Sequence, residues 1–455
     1  MTSTDTQRPW PVPVRTTNRV LVACWAAILA EGYDVGVLGA VLPALADDPA
    51  WSLSPLELGA LGSYALVGML IGAMTIGSLS DRVGRKNMLI VSLFIFASMQ
   101  LGAALAPTPG WFGLCRLLGG IGMGGIIPVA AALTIEYSPP QRRSFNYGLM
   151  YSGYSLGILT SALVALAFLP TIGWRGVVGV GALPVLMIPV LWRVLPESLE
   201  YLVSKGRRAQ ATDLARRLHV DPFVEQDWSA RPVDVTHAPT TWRMSLAAVF
   251  ERRYLRATVF FWIALFSGLL LVYGLNTWLP SIMRSAGYDL GSSLTFLVVF
   301  SLASAIGGIA IGRTADARGK KKILVVFYLL GAAGILLLMF PNNIWVNYVF
   351  VSLAGIGSIS TSLVLTGWVA EYYPAHSRAT ATGWALSFAR IGAICGPLVG
   401  GWIGSQDLAF QWNFVVFAVI GAIAAAAVAL IPRVPSPARV QPAGAGARPV
   451  ATDVG

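Results

Sequence analysis

Gly77-Ser78-Leu79-Ser80-Asp81-Arg82-Val83-Gly84-Arg85-Lys86 returns in weaker form as Gly312-Arg313-Thr314-Ala315-Asp316-Ala317-Arg318-Gly319-Lys320-Lys321. Gly312 and Asp316 each stand 235 residues beyond Gly77 and Asp81, and Ala317 takes the place of Arg82. The same offset relates Glu136-Tyr137-Ser138-Pro139 and Arg143 to Glu371-Tyr372-Tyr373-Pro374 and Arg378, and Gly148, Ser152 and Gly157 to Gly383, Ser387 and Gly392. A register that holds over three helices marks an internal repeat. Each loop copy closes an apolar run of membrane-span length, so the repeat predicts two halves related by a pseudo-twofold along the membrane normal. A site between such halves falls at the bilayer midplane.

Composition agrees with a polytopic membrane protein. The 455 residues are 56% apolar and only 12% charged, with mean hydropathy +0.68, against about 25% charged in soluble domains. Apolar runs of about 20 residues predict spans near 20–43, 56–79, 88–106, 111–135, 145–168 and 174–195, then 256–279, 290–313, 323–340, 344–370, 379–402 and 410–431. The fold class expected is therefore an all-α membrane protein of twelve transmembrane helices in two six-helix halves. The net charge of +11 is spread over alternate loops, which the positive-inside rule places in the cytoplasm together with both termini. Basicity here reports topology and not a nucleic-acid partner. The organisation expected is a cytoplasmic lead (1–18), a first half (19–195), a cytoplasmic linker (196–255), a second half (256–431) and a disordered tail (432–455). Within the linker, Gln210–Leu218 reads as a short amphipathic surface helix. No removable signal peptide is evident at the N-terminus.

Charges inside the apolar runs mark the candidate site, because each costs about 2.5–3.5 kcal/mol to insert. Glu31-Gly32-Tyr33-Asp34 lies in the middle of the first span. Glu31 and Asp34 share a helix face, and Gly32 admits a close neighbouring helix. Arg116 lies about five residues into span 4, ahead of Gly120, Gly122, Gly124 and Gly125. Its two readings are a polar partner for Glu31 or Asp34, or snorkelling to the nearer interface. Arg390 sits mid-span 11, where snorkelling cannot reach either surface. Its fork-shaped guanidinium suits a carboxylate; the alternative is a permanent ion pair with an acid such as Asp34. Tyr33, Tyr64, Tyr151, Tyr154, Tyr273, Trp278, Trp368, Trp384 and Phe388 supply rings for a flat ligand, although most membrane aromatics pack or form interfacial belts. Asn276 is a polar group that suits a ring hydroxyl. His219, His237 and His376 fall in segments expected to be cytoplasmic, which leaves Glu31, Asp34 and Glu136 as proton carriers; Glu136 also reads as a simple anchor for the inner end of span 4. Cys24, Cys115 and Cys395 have no metal-ligand spacing and read as small core residues. Neither a nucleotide-binding loop nor a metal cluster is present, so no enzymatic activity and no cofactor are expected.

The whole chain resembles the major facilitator superfamily. Gly77–Lys86 matches its loop 2–3 signature, Arg116–Gly125 resembles its span 4 motif, and Pro196-Glu197-Ser198 resembles a motif that follows span 6 in sugar and organic-acid porters. The loop residues Gly77, Asp81, Arg82, Gly84, Arg85, Asp316 and Arg318 read as a gate whose acids and bases pair across helix ends; the other reading is a plain solvated positive loop. Glu31-Gly32-Tyr33-Asp34 with Gly39 and Pro43, and Tyr273-Gly274-Leu275-Asn276-Thr277-Trp278-Leu279-Pro280, are similar to the aromatic acid:proton symporter family of bacteria, with Glu31 where an Asp is usual. That resemblance implies a transport role for Glu31, Asp34, Arg116 and Arg390. It also implies import of benzoate, a hydroxybenzoate, gentisate or protocatechuate through the bacterial cytoplasmic membrane. The expected partners are the aromatic carboxylate, protons and the lipid bilayer, with a monomer driven by the proton gradient. A transporter of another organic acid and a proton-coupled drug exporter are the alternatives.

Overall fold

The computed structural model describes residues 12–218, 250–373, 375–406 and 408–432. His219, His237 and the expected disordered tail beyond Pro432 lie outside the described residues. Among the described residues every regular element is helical. The first half holds α1 (Val14–Ala46), α2 (Pro55–Val83), α3 (Arg85–Ala104), α4 (Pro109–Glu136), α5 (Arg143–Val180) and α6 (Ile188–Val194). Two short linker helices follow, α7 (Leu199–Ser204) and α8 (Arg208–Arg217). The second half holds α9 (Arg252–Ser285), α10 (Leu290–Arg318), α11 (Lys320–Leu337), α12 (Ile344–Gly355), α13 (Thr361–Tyr372), α14 (Ala375–Gly404) and α15 (Gln411–Leu430), with one π turn at Ile356–Ser360 joining α12 to α13.

Ten helices among the described residues are long and apolar enough to cross a membrane, where the apolar runs predict twelve. The two differences have physical causes. The expected span 174–195 is broken: α5 continues through a kink at Gly173 (φ +66°) to Val180, and a 3-10 turn, Leu183–Met187, precedes α6. Pro184 and Pro189 remove backbone donors there, which interrupts a continuous helix. The other is α11, whose 18 residues open on Lys320, Lys321 and Lys322 and so shorten its apolar stretch. The linker also differs from expectation. Ala211 and Leu214 of α8 pack on Tyr201 and Leu202 of α7, so its apolar face meets protein instead of lipid.

Close backbone approach at glycine builds each half. A Cβ at Gly32 or Gly157 would strike the backbone of the partner helix across the α1–α5 contact, and Gly392 meets Phe266 in the same way across α9–α14. Gly157 and Gly392 are repeat mates, so the sequence offset reappears as the same packing. It reappears in charge as well. Arg85 pairs with Glu136 at 2.9 Å, and Lys320 pairs with Glu371, each residue 235 positions beyond its counterpart.

The halves meet along α1 with α9, α2 with α14 and α5 with α10. The described polar contacts between them gather toward the acidic-loop ends. Ser63 donates to Ile394 O at 2.7 Å, Asn276 Nδ2 to Val35 O at 2.8 Å, and Arg284 reaches Asp47 at 2.5 Å and Pro43 O at 3.3 Å. Gly59 and Gly401 bring α2 and α14 into backbone contact on the same side. Among the described residues no ion pair joins the halves at the basic-loop ends, where Arg85 and Lys320 each pair within their own half.

Candidate functional site

The centre of the molecule is built on α1. At 100° per residue, Asp34 and Leu38 turn toward α4 and α2, Val35 and Gly39 toward α9, and Gly32 and Gly36 toward α5. Glu31 lies between the first two directions, at the junction of the halves. Both acids are buried, at 0% and 1% exposure for Glu31 and Asp34.

Arg116 on α4 forms an ion pair with Asp34, with side chains 4% and 1% exposed. Such a pair survives burial because the two charges replace each other's lost water, whereas either one alone is strongly unfavourable. Gln100 of α3, also buried, faces Asp34. Asp34 Oδ2, Arg116 Nε and Gln100 Nε2 nonetheless have no hydrogen-bond partner among the described residues. A water-sized cavity of about 10 Å³ adjoins the pair, lined by Arg116, Val35, Leu38, Gly62, Tyr273 and Thr277.

Glu31 and Arg390 make the second polar centre. They lie within electrostatic reach of each other, yet both oxygens of Glu31 are without a hydrogen-bond partner among the described residues. Tyr151 and Tyr273 share this electrostatic neighbourhood with both. Tyr154 of α5 and Tyr273 of α9 join their hydroxyls at 2.8 Å across the two halves. Tyr147, Tyr151 and Tyr154 form a stacked ladder on α5, with centroids 6.2 and 5.8 Å apart and planes tilted by 20° and 21°. The ladder leads from the basic-loop end of α5 to this centre.

Other expected site residues fall elsewhere. Tyr33 lies on another face of α1 from Glu31, and its hydroxyl donates to Val177 O at 2.7 Å. Trp278 Nε1 donates to Pro397 O at 2.8 Å and its ring covers Gly400. Asn276 spends its amide on Val35 O, although its Oδ1 has no partner among the described residues. Trp384 and Phe388 stack on Trp262 at 6.4 and 5.0 Å, Trp368 packs on Phe261 at 5.1 Å, and the Tyr64 ring rests on Gly113. Glu136 is held at the far end of α4 by Arg85 and by the Glu200 backbone N–H at 3.0 Å, the anchoring arrangement. Sequence reasoning missed Gln100 and Tyr147. Gln100 is uncharged and looks like any polar residue in a span; the i, i+4, i+7 spacing of Tyr147, Tyr151 and Tyr154 was the available signal for the ladder. Among the described residues no group of three or more His, Cys, Asp or Glu is placed to hold a metal ion.

The profile of the Major Facilitator Superfamily matches residues 24–366 and, overlapping it, 295–453. The chain belongs to the major facilitator superfamily. This facilitator is 32% identical over 422 residues to the benzoate transport protein of Acinetobacter baylyi, covering 91% of this chain and 89% of that one. It is equally 32% identical over 414 residues to the gallate transporter of Pseudomonas putida, covering 90% of each. In fold it is similar to the inward-open xylose transporter XylE from E. coli, with TM-score 0.71, 18% identity, and coverage of 90% of this chain and 95% of that one. It is accordingly a multi-pass membrane transporter and not an enzyme.

The facilitator's loop signature is clamped by the linker. Glu197 accepts the Lys86 backbone N–H at 3.0 Å at the N-terminus of α3, where an anion meets the positive end of the helix. Ser198 caps α7 by accepting from Tyr201 N at 3.0 Å, and Tyr201 donates to Arg82 O at 2.9 Å. The Arg85 guanidinium bridges Glu136 and Glu200 at 2.9 and 3.2 Å. Asp81, Arg82, Asp316 and Arg318 are exposed; Asp316 lies 3.7 Å from Lys320 one turn on.

Proposed function

We propose that this transporter imports a small aromatic carboxylate together with protons by alternating access. The carrying observation is Arg390, a guanidinium at the junction of the halves with no hydrogen bond or ion pair among the described residues, within electrostatic reach of Glu31, Tyr151 and Tyr273. Fork geometry in a low-dielectric cleft favours a carboxylate, and the tyrosines offer ring faces. The similarity to benzoate and gallate transporters supports this reading. The Asp34–Arg116 pair is the coupling element: protonation of Asp34 releases Arg116, and deprotonation recaptures it. With the basic loops and both termini cytoplasmic, the contacts gathered at the acidic-loop ends close the outer side, which corresponds to an inward-facing state. The Gly77–Lys86 loop and its repeat act as the inner gate. The proton gradient is the only energy source, and the monomer suffices.

Uptake into proteoliposomes of labelled benzoate, 3- and 4-hydroxybenzoate, gentisate, protocatechuate and a non-aromatic acid tests this. The expected result is aromatic-selective uptake that accelerates with an inward proton gradient and is abolished in Arg390→Ala. Uptake of none of these acids, or an Arg390→Ala variant that transports like wild type, would refute the assignment.

A further inference from the structure

The unpartnered groups at the second polar centre are of two opposite kinds. Arg390 offers only donors. Glu31, fully buried, offers acceptors, and both its oxygens are unmet among the described residues. The two do not satisfy each other, although they lie within electrostatic reach. Asp34 has Arg116 and the Tyr154 and Tyr273 hydroxyls have each other, so Glu31 is the one carboxylate of this centre without a described partner. A buried acceptor left unmet is costly, and a ligand that meets it gains what its analogue lacking the donor forfeits.

Unsubstituted benzoate carries acceptors only. It meets the donors of Arg390 but brings no donor for the Glu31 acceptors. A ring that bears both a carboxylate and a hydroxyl satisfies both ends, the carboxylate at Arg390 and the O–H at Glu31. We infer that Glu31 is a specificity-determining residue that accepts a hydrogen bond from a ring hydroxyl, so that the substrate is a hydroxylated aromatic carboxylate in preference to a bare one. Protonation does not remove this role, because a carboxylic acid keeps a carbonyl acceptor. The inference rests on the aromatic-acid reading and adds to it a choice among aromatic acids.

Equilibrium binding to the purified full chain in detergent, without any gradient, tests the choice separately from coupling. The matched probes are benzoate against 3- and 4-hydroxybenzoate, on wild type, Glu31→Leu and Glu31→Gln, each checked for folding by thermal melting. Wild type should bind at least one hydroxybenzoate tighter than benzoate by about tenfold or more, since sites built around a substrate hydroxyl discriminate strongly. Glu31→Leu should bring that ratio to near one. Glu31→Gln is isosteric, keeps one acceptor and should give an intermediate ratio, so it carries the test if the leucine variant does not fold. A wild type that binds benzoate as tightly as both hydroxybenzoates, or a preference unchanged in both variants, overturns this inference alone. Binding of none of the three overturns it together with the aromatic-acid reading.

Discussion

Asp34 and Arg116 stand at 1% and 4% side-chain exposure in contact with each other, and neither is tolerable there without the other. Truncating Arg116 strands a buried carboxylate, at a cost of about 3–5 kcal/mol for breaking such a pair. Arg116→Ala should therefore melt well below wild type in detergent, and adding Asp34→Asn to it should restore part of the loss by removing the stranded charge. An Arg116→Ala variant with a wild-type melting curve would show that the pair contributes nothing. This pair was legible in the sequence because a charge in an apolar run demands a partner, and the first half offers few. Tyr33 was not legible in the same way. An aromatic residue between two acids reads as part of their site, yet one residue is 100° of helix, enough to send its hydroxyl to Val177.

The joint between α2 and α3 shows how repeated elements diverge. Gly84 and Gly319, repeat mates, both adopt positive φ, +113° and +92°, a region in which a side chain adds strain of about 1–3 kcal/mol. Among the described residues a Cβ at Gly319 meets nothing within 4 Å, whereas one at Gly84 strikes the Glu197 carboxylate. Gly319→Ala should then cost only the backbone term. Gly84→Ala should cost more and also free Glu197 from the Lys86 N–H, seen as a lower melting temperature and faster amide exchange in α7. Equal behaviour of the two variants would mean that the Glu197 clamp has no weight. Both loops were readable as copies of one motif. The Glu197 contact over the first of them was not, because Glu197 comes from a linker more than 100 residues away.

Over the whole molecule, the two halves are held at their acidic-loop ends by the Arg284–Asp47 pair at 2.5 Å, with 40% and 60% side-chain exposure, beside the buried contacts of Ser63 and Asn276. An exposed pair contributes about 0–1 kcal/mol, so it biases the balance between conformations by at most about fivefold. Arg284→Asp should raise the population open at that end, measured by the spread of distances between spin labels at Ala50→Cys and Ser285→Cys. Adding Asp47→Arg should reverse the shift. An unchanged distance distribution in Arg284→Asp would remove the pair from the closure.

The sequence by itself determined the helical membrane class, the two related halves, the superfamily and the four charges on which the centre is built. It could do so because hydropathy, repeat register and the cost of buried charge are properties of residues and their spacing, and the superfamily followed from the resemblance of Gly77–Lys86 to its loop signature. Only the tertiary structure decided that Asp34 takes Arg116 while Glu31 has no hydrogen-bond partner among the described residues, that Trp278 bonds to Pro397 and Glu136 to Arg85, and that the span expected at 174–195 is broken. Those outcomes depend on which helix face meets which neighbour, and a face is chosen by packing between segments more than a hundred residues apart, where glycines such as Gly32 and Gly392 let the backbones touch.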